Sequence, residues 1–213
     1  MWWMAVLATL AGYLIGSIPM GYLVIRLLKG QDIREHGSGR TGGTNAMRAG
    51  GLGAAVLTVG GDVCKGAAAV IAARALFPGS VWAEVLAGWG AVLGHNASIY
   101  LGFKGGAGSG PNMGVAAAFW PPSLIFSLGC LLLSLFVIRY ASLGSILIAL
   151  TIIAVSAIRA VQGLGPIEHI GYGIGAMLLV VYALRPNIER LIKGTERPIP
   201  EPVILPKSHE QAK

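Results

Sequence analysis

Residues 105–138 read GGAGSGPNMGVAAAFWPPSLIFSLGCLLLSLFVI, 34 positions without a single charged side chain or histidine. A water-facing surface needs charges at closer intervals than that. A bilayer's hydrocarbon core, about 30 Å thick, is crossed by ~20 apolar helical residues. The run is therefore apolar enough for a membrane and too long for one simple crossing. Trp120-Pro121-Pro122 divides it, because proline cannot donate to a helical ladder. The reading is a short helix over 109–119 and another over 122–138, closed by Arg139-Tyr140.

The rest of the 213-residue chain agrees with this stretch. Charged residues make up 12% and apolar types 54%, against a usual ~25% charged in soluble domains. A disordered chain needs the opposite balance. The fold class is an all-α integral membrane protein. Toward the N-terminus, helices are expected over 81–101, over 52–77 before Pro78-Gly79, and over 1–25 before Arg26 and Lys29. A signal peptide carries its positive charge ahead of the apolar run. Here the order is reversed, so 1–25 reads as a retained span kinked at Pro19. Toward the C-terminus, helices are expected over 143–158 and 167–184, making about seven transmembrane helices.

An N-terminus outside and a C-terminus in the cytoplasm put thirteen of the sixteen Lys and Arg on the inner side, and only Arg74 and Arg159 outside. That asymmetry is the pattern of cytoplasmic loops. It accounts for the net charge of +7 without nucleic acid as a partner. Residues 1–196 read as one membrane domain. Residues 197–213, with Pro198, Pro200, Pro202 and Pro206, read as a disordered cytoplasmic tail. Cys64 and Cys130 lie in apolar stretches without metal-ligand spacing and are expected as small buried hydrophobes.

Two glycine-rich loops then fall on the inner face. The first runs Asp32-Ile33-Arg34-Glu35-His36-Gly37-Ser38-Gly39-Arg40-Thr41-Gly42-Gly43-Thr44-Asn45-Ala46-Met47-Arg48. Glycines let backbone N–H groups converge on an anion, hydroxyls and Asn45 add donors, and Arg40 and Arg48 add charge. The set suits a phosphate, and it equally suits a flexible basic loop. The second holds Gly94-His95-Asn96 and then Phe103-Lys104-Gly105-Gly106-Ala107-Gly108-Ser109-Gly110-Pro111-Asn112. It leads into a helix N-terminus, which favours anions; close helix packing through small residues is the other reading. Asp62 and Lys65 share one helix face at membrane depth, as a functional pair or a self-neutralising one. His95 is a ligand, a base or a packing residue. His169 lies on the outer side, and Arg185-Pro186-Asn187-Ile188-Glu189-Arg190-Leu191 returns polar groups to the inner face.

These motifs resemble the bacterial acyl-phosphate-dependent glycerol-3-phosphate acyltransferases (PlsY). The family's first-loop pattern is matched by Gly37-Ser38-Gly39-Arg40-Thr41-Gly42-Gly43-Thr44-Asn45-Ala46-Met47-Arg48, its Asp-x-x-Lys-Gly by Asp62, Lys65 and Gly66, and its Gly-His by Gly94-His95. Its Phe-Lys-Gly-Gly-Lys-Gly is matched by Phe103 to Gly108, apart from Ala107. Gly16-Ser17-Ile18-Pro19, Arg139-Tyr140-Ala141-Ser142 and Asn187-Ile188 also fit. The chain departs from the pattern in four places. Ala107 stands for a lysine, Ser109-Gly110-Pro111 for Val-Ala-Thr, Leu184 for a histidine and Arg40 for an asparagine.

The resemblance implies transfer of a fatty acyl group from acyl phosphate to the 1-hydroxyl of glycerol 3-phosphate, giving lysophosphatidic acid for phospholipid biosynthesis. It implies Ser38, Arg48 and Asn187 as catalytic residues. Substrate would be bound by Gly37, Gly39, Arg40, Thr44, Asn45, Lys65, His95, Lys104, Gly105, Gly106 and Gly108. The partners are the two small substrates and the bilayer, with neither metal nor cofactor. The setting is a bacterial inner membrane with the site facing the cytoplasm. Ala107 and Leu184 leave open a diverged relative with another acceptor or a lipid-binding role. A small transporter would draw on Asp62 and Lys65, yet no inverted repeat with paired broken helices is visible. A CDP-alcohol phosphotransferase needs clustered aspartates on a metal, and the chain has only Asp32 and Asp62.

Overall fold

A computed structural model of the chain describes residues 2–199. Among them are eight α-helices and no strand beyond a single bridge between Ser98 and Lys104. The helices are α1 (Trp2–Ser17), α2 (Met20–Lys29), α3 (Gly43–Leu76), α4 (Val81–Asn96), α5 (Ser109–Phe119), α6 (Ser123–Leu133), α7 (Ala141–Val161) and α8 (Glu168–Ile192). A π-helical turn, Ser134–Ile138, extends α6.

Proline and glycine set most of the breaks, sometimes differently from expectation. At Pro19 the first apolar run divides into two helices rather than bending as one. The missing proline N–H interrupts the ladder there. Helix α3 starts nine residues before the expected 52 and bends at Gly51, where φ is 81° and ψ is −173°. The end of the first glycine-rich loop is thus a short helical arm. Helix α4 stops at Asn96 rather than 101, and Gly106 N–H donates to the His95 carbonyl (2.9 Å). Helix α8 runs eight residues past the expected 184, through Pro186. The Tyr182 carbonyl, which a residue 186 with an N–H would have used, accepts instead from Arg185 Nε (3.0 Å).

Helices pack through small residues where backbones approach closely. Gly12 and Gly16 of α1 face the backbone at Ala87 and Ala91 of α4, while Gly90 and Gly94 of α4 face Thr9 and Tyr13. A Cβ at any of the four would overlap the opposite helix, the arrangement expected where dispersion rather than the hydrophobic effect joins helices. The central core gathers Val70, Val85, Met113, Ile148 and Tyr172 from five helices. Within it the Tyr172 hydroxyl donates to Asn112 Oδ1 (2.6 Å), so the phenol's polar end is met.

By length and composition three helical segments among the described residues are apolar enough to cross a bilayer: Trp2–Lys29, Gly43–Leu76 and Ala141–Val161. Helix α5, with 11 residues, rises about 16 Å, roughly half of a hydrocarbon core. The connections sort to two ends. At the far end Arg74 pairs with Glu84 (2.6 Å) and donates to the Ala118 carbonyl (3.1 Å), and Arg159 lies 4.5 Å from the centroid of Trp120. At the other end both glycine-rich loops meet the α6–α7 corner and the end of α8. One cysteine departs from expectation. Cys64 is exposed on α3, whereas Cys130 is half-buried, 3.2 Å from Thr151 Oγ1.

Candidate active site

The first loop is shaped by one side chain. Asn45, buried in the first turn of α3, accepts from Ser38 N–H at Oδ1 (3.1 Å). Its Nδ2 lies within hydrogen-bond distance of the carbonyls of Ile33 (3.1 Å), His36 (3.0 Å) and Arg40 (2.8 Å). Gly37, at φ 53°, passes so close that a Cβ would run into Asn45 Oδ1. Asn45 was expected as a donor to substrate. Its amide is instead committed to holding the loop, which presents Ser38, Arg40 and Thr44 to a cavity of about 530 Å³.

The second loop is shaped by a buried charge cluster. Lys65 Nζ donates to the Ile18 carbonyl (2.7 Å), pairs with Asp62 Oδ1 (2.8 Å) and lies 3.0 Å from His95 Nδ1. Asp62 Oδ1 is also 3.3 Å from His95 Nδ1. The break at Pro19 leaves the Ile18 carbonyl outside the regular ladder, available to the lysine. All three side chains are nearly solvent-free. Gly106 crosses the His95 ring so closely that a Cβ would collide with Nε2, and Gly110 lies as tightly on Asp62. The glycines at 106 and 110 are thus packing residues as well as loop residues.

The cavity has two unlike ends. Its polar end gathers Ser38, Arg40, Arg48, Asn187, Arg190, Glu196 and Arg197, and the first turn of α5 (Ser109, Gly110) points into it. Ser109 and Ser145 share a 2.6 Å hydroxyl contact, and buried Ser142 Oγ has no partner among the described residues. The other end is a trough between α3 and α6, lined by Leu52, Val56, Val59, Leu131, Leu132 and Phe136. Leu52, Val56, Leu132 and Phe136 are partly exposed and form its rim.

Arg40 carries the clearest electrostatic signal. It is half-buried, and among the described residues its side chain makes one hydrogen bond, from Nη2 to the Ala183 carbonyl (2.6 Å). Among the described residues no carboxylate pairs with it, Glu196 acting only through its field. Burial, and then the proximity of Arg190, pull its pKa below the ordinary arginine value, although a guanidinium stays charged throughout the physiological range. A cation in that state is a receptor for an anion.

The expected site residues divide cleanly. Ser38, Arg40, Thr44, Asn45, Arg48, Asn187, His95, Gly106 and Gly108 line the cavity. Gly37, Gly39 and Gly105 are not among its lining residues, and Lys65 is spent on Asp62 and Ile18. Lys104 is exposed and does not reach the cavity. Leu184 and Ala107 line it without charge. Sequence reading missed Glu196. Helix α8 ends at Ile192, Gly194 turns left-handed at φ 68°, and the chain doubles back. Glu196 then accepts from Asn187 Nδ2 (2.6 Å) and Arg190 Nε (2.8 Å). A glycine just past the last apolar turn was the available signal. Asn187 Oδ1 has no partner among the described residues.

The start of the expected disordered tail is also ordered. Arg197 donates to the Gly37 carbonyl (2.9 Å) and Arg48 to the Pro198 carbonyl (3.2 Å). Ile199 N–H donates to the Arg139 carbonyl (2.6 Å). Residues 200–213, the remainder of that tail, lie outside the described residues.

A family model described as glycerol-3-phosphate acyltransferase matches residues 6–194. A glycerol-3-phosphate acyltransferase of Synechococcus sp. (strain JA-3-3Ab) is 42% identical over 196 residues, covering 92% of this chain and 93% of the relative. One from Halalkalibacterium halodurans is 38% identical over 192 residues, covering 89% and 93%. The fold is similar to the crystal structure of PlsY, an integral membrane glycerol 3-phosphate acyltransferase, in its glycerol 3-phosphate form. The TM-score is 0.79 at 34% identity, over 92% of this chain and 96% of the other. The lysophosphatidic acid form of PlsY gives a TM-score of 0.76 at 32% identity, over 91% and 94%.

Proposed function

The chain belongs to the glycerol-3-phosphate acyltransferase family, and from that membership and the cavity we propose that it transfers a fatty acyl group from acyl phosphate to the 1-hydroxyl of glycerol 3-phosphate. The observation that carries the choice of donor is the cavity's two unlike ends. An apolar trough open along its rim is continuous with a cluster of four guanidinium groups, opposed among the described residues by Glu196, Asp62 being taken up by Lys65. Acyl phosphate has that same division, with a hydrocarbon chain and an anionic head, and the second phosphate of the acceptor needs the remaining positive charge.

Catalysis here is positioning and charge stabilisation. Arg40, Arg48 and Arg190 hold the two phosphates against their repulsion. Ser38, Thr44 and the first turn of α5 supply neutral donors. Glu196 fixes Asn187 through Nδ2, which leaves Oδ1 to accept from the attacking hydroxyl. The hydroxyl oxygen bonds to the acyl carbonyl carbon and the carbon–oxygen bond to phosphate breaks. The proton passes to the departing phosphate, whose second pKa lies near neutrality. Phosphate therefore serves as the base, and Leu184 in the place of the family's histidine is compatible with turnover. Arg40 supplies the positive charge that Ala107 lacks.

The setting we propose is a bacterial inner membrane crossed about seven times, with the N-terminus outside. The polar end of the cavity then faces the cytoplasm, where glycerol 3-phosphate is dissolved, and the rim of the trough faces the lipid. The distribution of basic residues supports this orientation.

The test is purified protein in detergent with palmitoyl phosphate and glycerol 3-phosphate, following inorganic phosphate and lysophosphatidic acid together. Matched formation of both, abolished in Arg48→Ala, is the expected result. Leu184, buried in the cavity wall, favours a second reading in which the acceptor differs. Phosphate release dependent on another alcohol, without lysophosphatidic acid, would select it.

A further inference from the structure

Residues 197–199 follow directly on Glu196 and run across the polar mouth of the cavity. They are tied down at three places drawn from separate elements: Gly37 in the first loop, Arg48 at the start of α3, and Arg139 at the α6–α7 corner. The Arg139 contact is reciprocal, since Arg139 Nη2 donates to the Ile199 carbonyl (3.2 Å). Ile199 is 3% exposed and lines the cavity beside the guanidinium cluster. An apolar side chain buried among polar groups excludes water from them, and Pro198 brings no N–H that would need a partner. Loop packing alone does not call for an isoleucine inside a substrate cavity.

We propose that the 197–199 strap selects the acceptor by closing the mouth to water, so that the acyl group passes to glycerol 3-phosphate rather than being hydrolysed. This rests on the acyl-phosphate reading above. An acyl phosphate is a mixed anhydride that water also attacks. The water oxygen bonds to the carbonyl carbon, the bond to phosphate breaks, one proton goes to phosphate, and fatty acid is released. The same cations and helix terminus that activate the donor for the alcohol activate it for water. Excluding bulk water from the closed site is what separates the two outcomes. Glycerol 3-phosphate enters when the strap lifts, and its phosphate takes the Arg48 donor that the Pro198 carbonyl occupies in the closed form.

The test measures the ratio of inorganic phosphate to lysophosphatidic acid in four proteins: the full chain, the chain ended after Ile199, the chain ended after Glu196, and full-length Ile199→Gly. The first two are expected to give matched products. The third and fourth are expected to release phosphate in several-fold excess, with free fatty acid making up the difference. Matched products from Ile199→Gly would overturn the strap's role, even if the shortened chain failed to fold. Neither product from the full chain would overturn the acyl-phosphate reading and this one together.

Discussion

Two cations withdrawn from water, buried Lys65 and half-buried Arg40, belong to regions of opposite design. Lys65 has three N–H donors, and the protein meets them with the Ile18 carbonyl, Asp62 and the Nδ1 edge of His95, all within 3.0 Å. Arg40 has five donors, and among the described residues one of them meets a carbonyl and none meets a carboxylate; the field of Arg190 acts on it more strongly than the opposing field of Glu196. Taking a charge out of water is unfavourable until something replaces the water. Around Lys65 the protein has replaced it, so that cluster is scaffold. Around Arg40 the described residues have not, which is what the anion receptor proposed for it requires. The state of the donors separates the two roles where residue type alone does not.

Removing one partner from the scaffold cluster should give the largest effect. Asp62→Ala leaves Lys65 charged and unpaired in a nearly dry position, a change that typically destabilises by about 3–5 kcal/mol. Thermal unfolding in detergent should drop sharply or the protein should fail to accumulate. A variant with unchanged melting would show that Lys65 finds water, and would break the contrast with Arg40.

At the receptor cation the loss should appear in activity instead. Arg40→Asn removes a charge-assisted contact to phosphate, about 1.5–3 kcal/mol and roughly 10- to 150-fold in kcat/KM, while melting stays at the parental value. Adding Ala107→Lys to that variant returns a cation to the same cavity wall, and most of the lost kcat/KM should return with it. A double variant no better than Arg40→Asn alone would show that the position of the charge, and not its presence, is what the site requires.

The sequence made the helices and the loops legible more readily than the roles inside them. Trp120-Pro121-Pro122 and Pro78-Gly79 end helices within a residue or two of the expected places, because proline's missing N–H acts locally. Pro186 does not stop α8, since a side chain, Arg185, takes over the orphaned carbonyl. The start of α3 was hidden because Gly42-Gly43 carries no hydrophobic period. At the site, Ser38, Arg40, Arg48 and Asn187 were readable by residue type and motif. That Asn45 serves the loop and not the ligand depends on contacts to Ile33, His36, Ser38 and Arg40. Glu196, nine residues beyond Asn187, depended on the turn at Gly194. Such non-local pairings leave no periodic trace in a chain.

The glycines of the second loop sharpen the comparison from the scaffold side. Gly106→Ala pushes a Cβ into the His95 ring, and overpacking of this kind costs about 1–3 kcal/mol. Melting should fall by that amount, and kcat/KM should fall only as far as His95 shifts. A stable but inactive Gly106→Ala would mean that the backbone at 106 touches substrate, making this loop a receptor like the first.

Lys104 gives the smallest expected effect and the most discriminating one, because the same motif that carries Gly106 and Gly108 nominated it as a substrate ligand. The structure sets it on a turn with Tyr100 and Phe103, both more than half exposed, and outside the cavity. Aromatic and lysine side chains grouped at a helix end are the usual anchors at a membrane–water boundary. Lys104→Ala should therefore change stability by no more than about 0.5 kcal/mol, as surface substitutions do, and leave kcat/KM close to the parental value. A tenfold fall, from loss of about 1.4 kcal/mol of transition-state binding, would place Lys104 beside Arg40 at the phosphates. Donor counts would then fail to tell scaffold cations from receptor cations in the second loop.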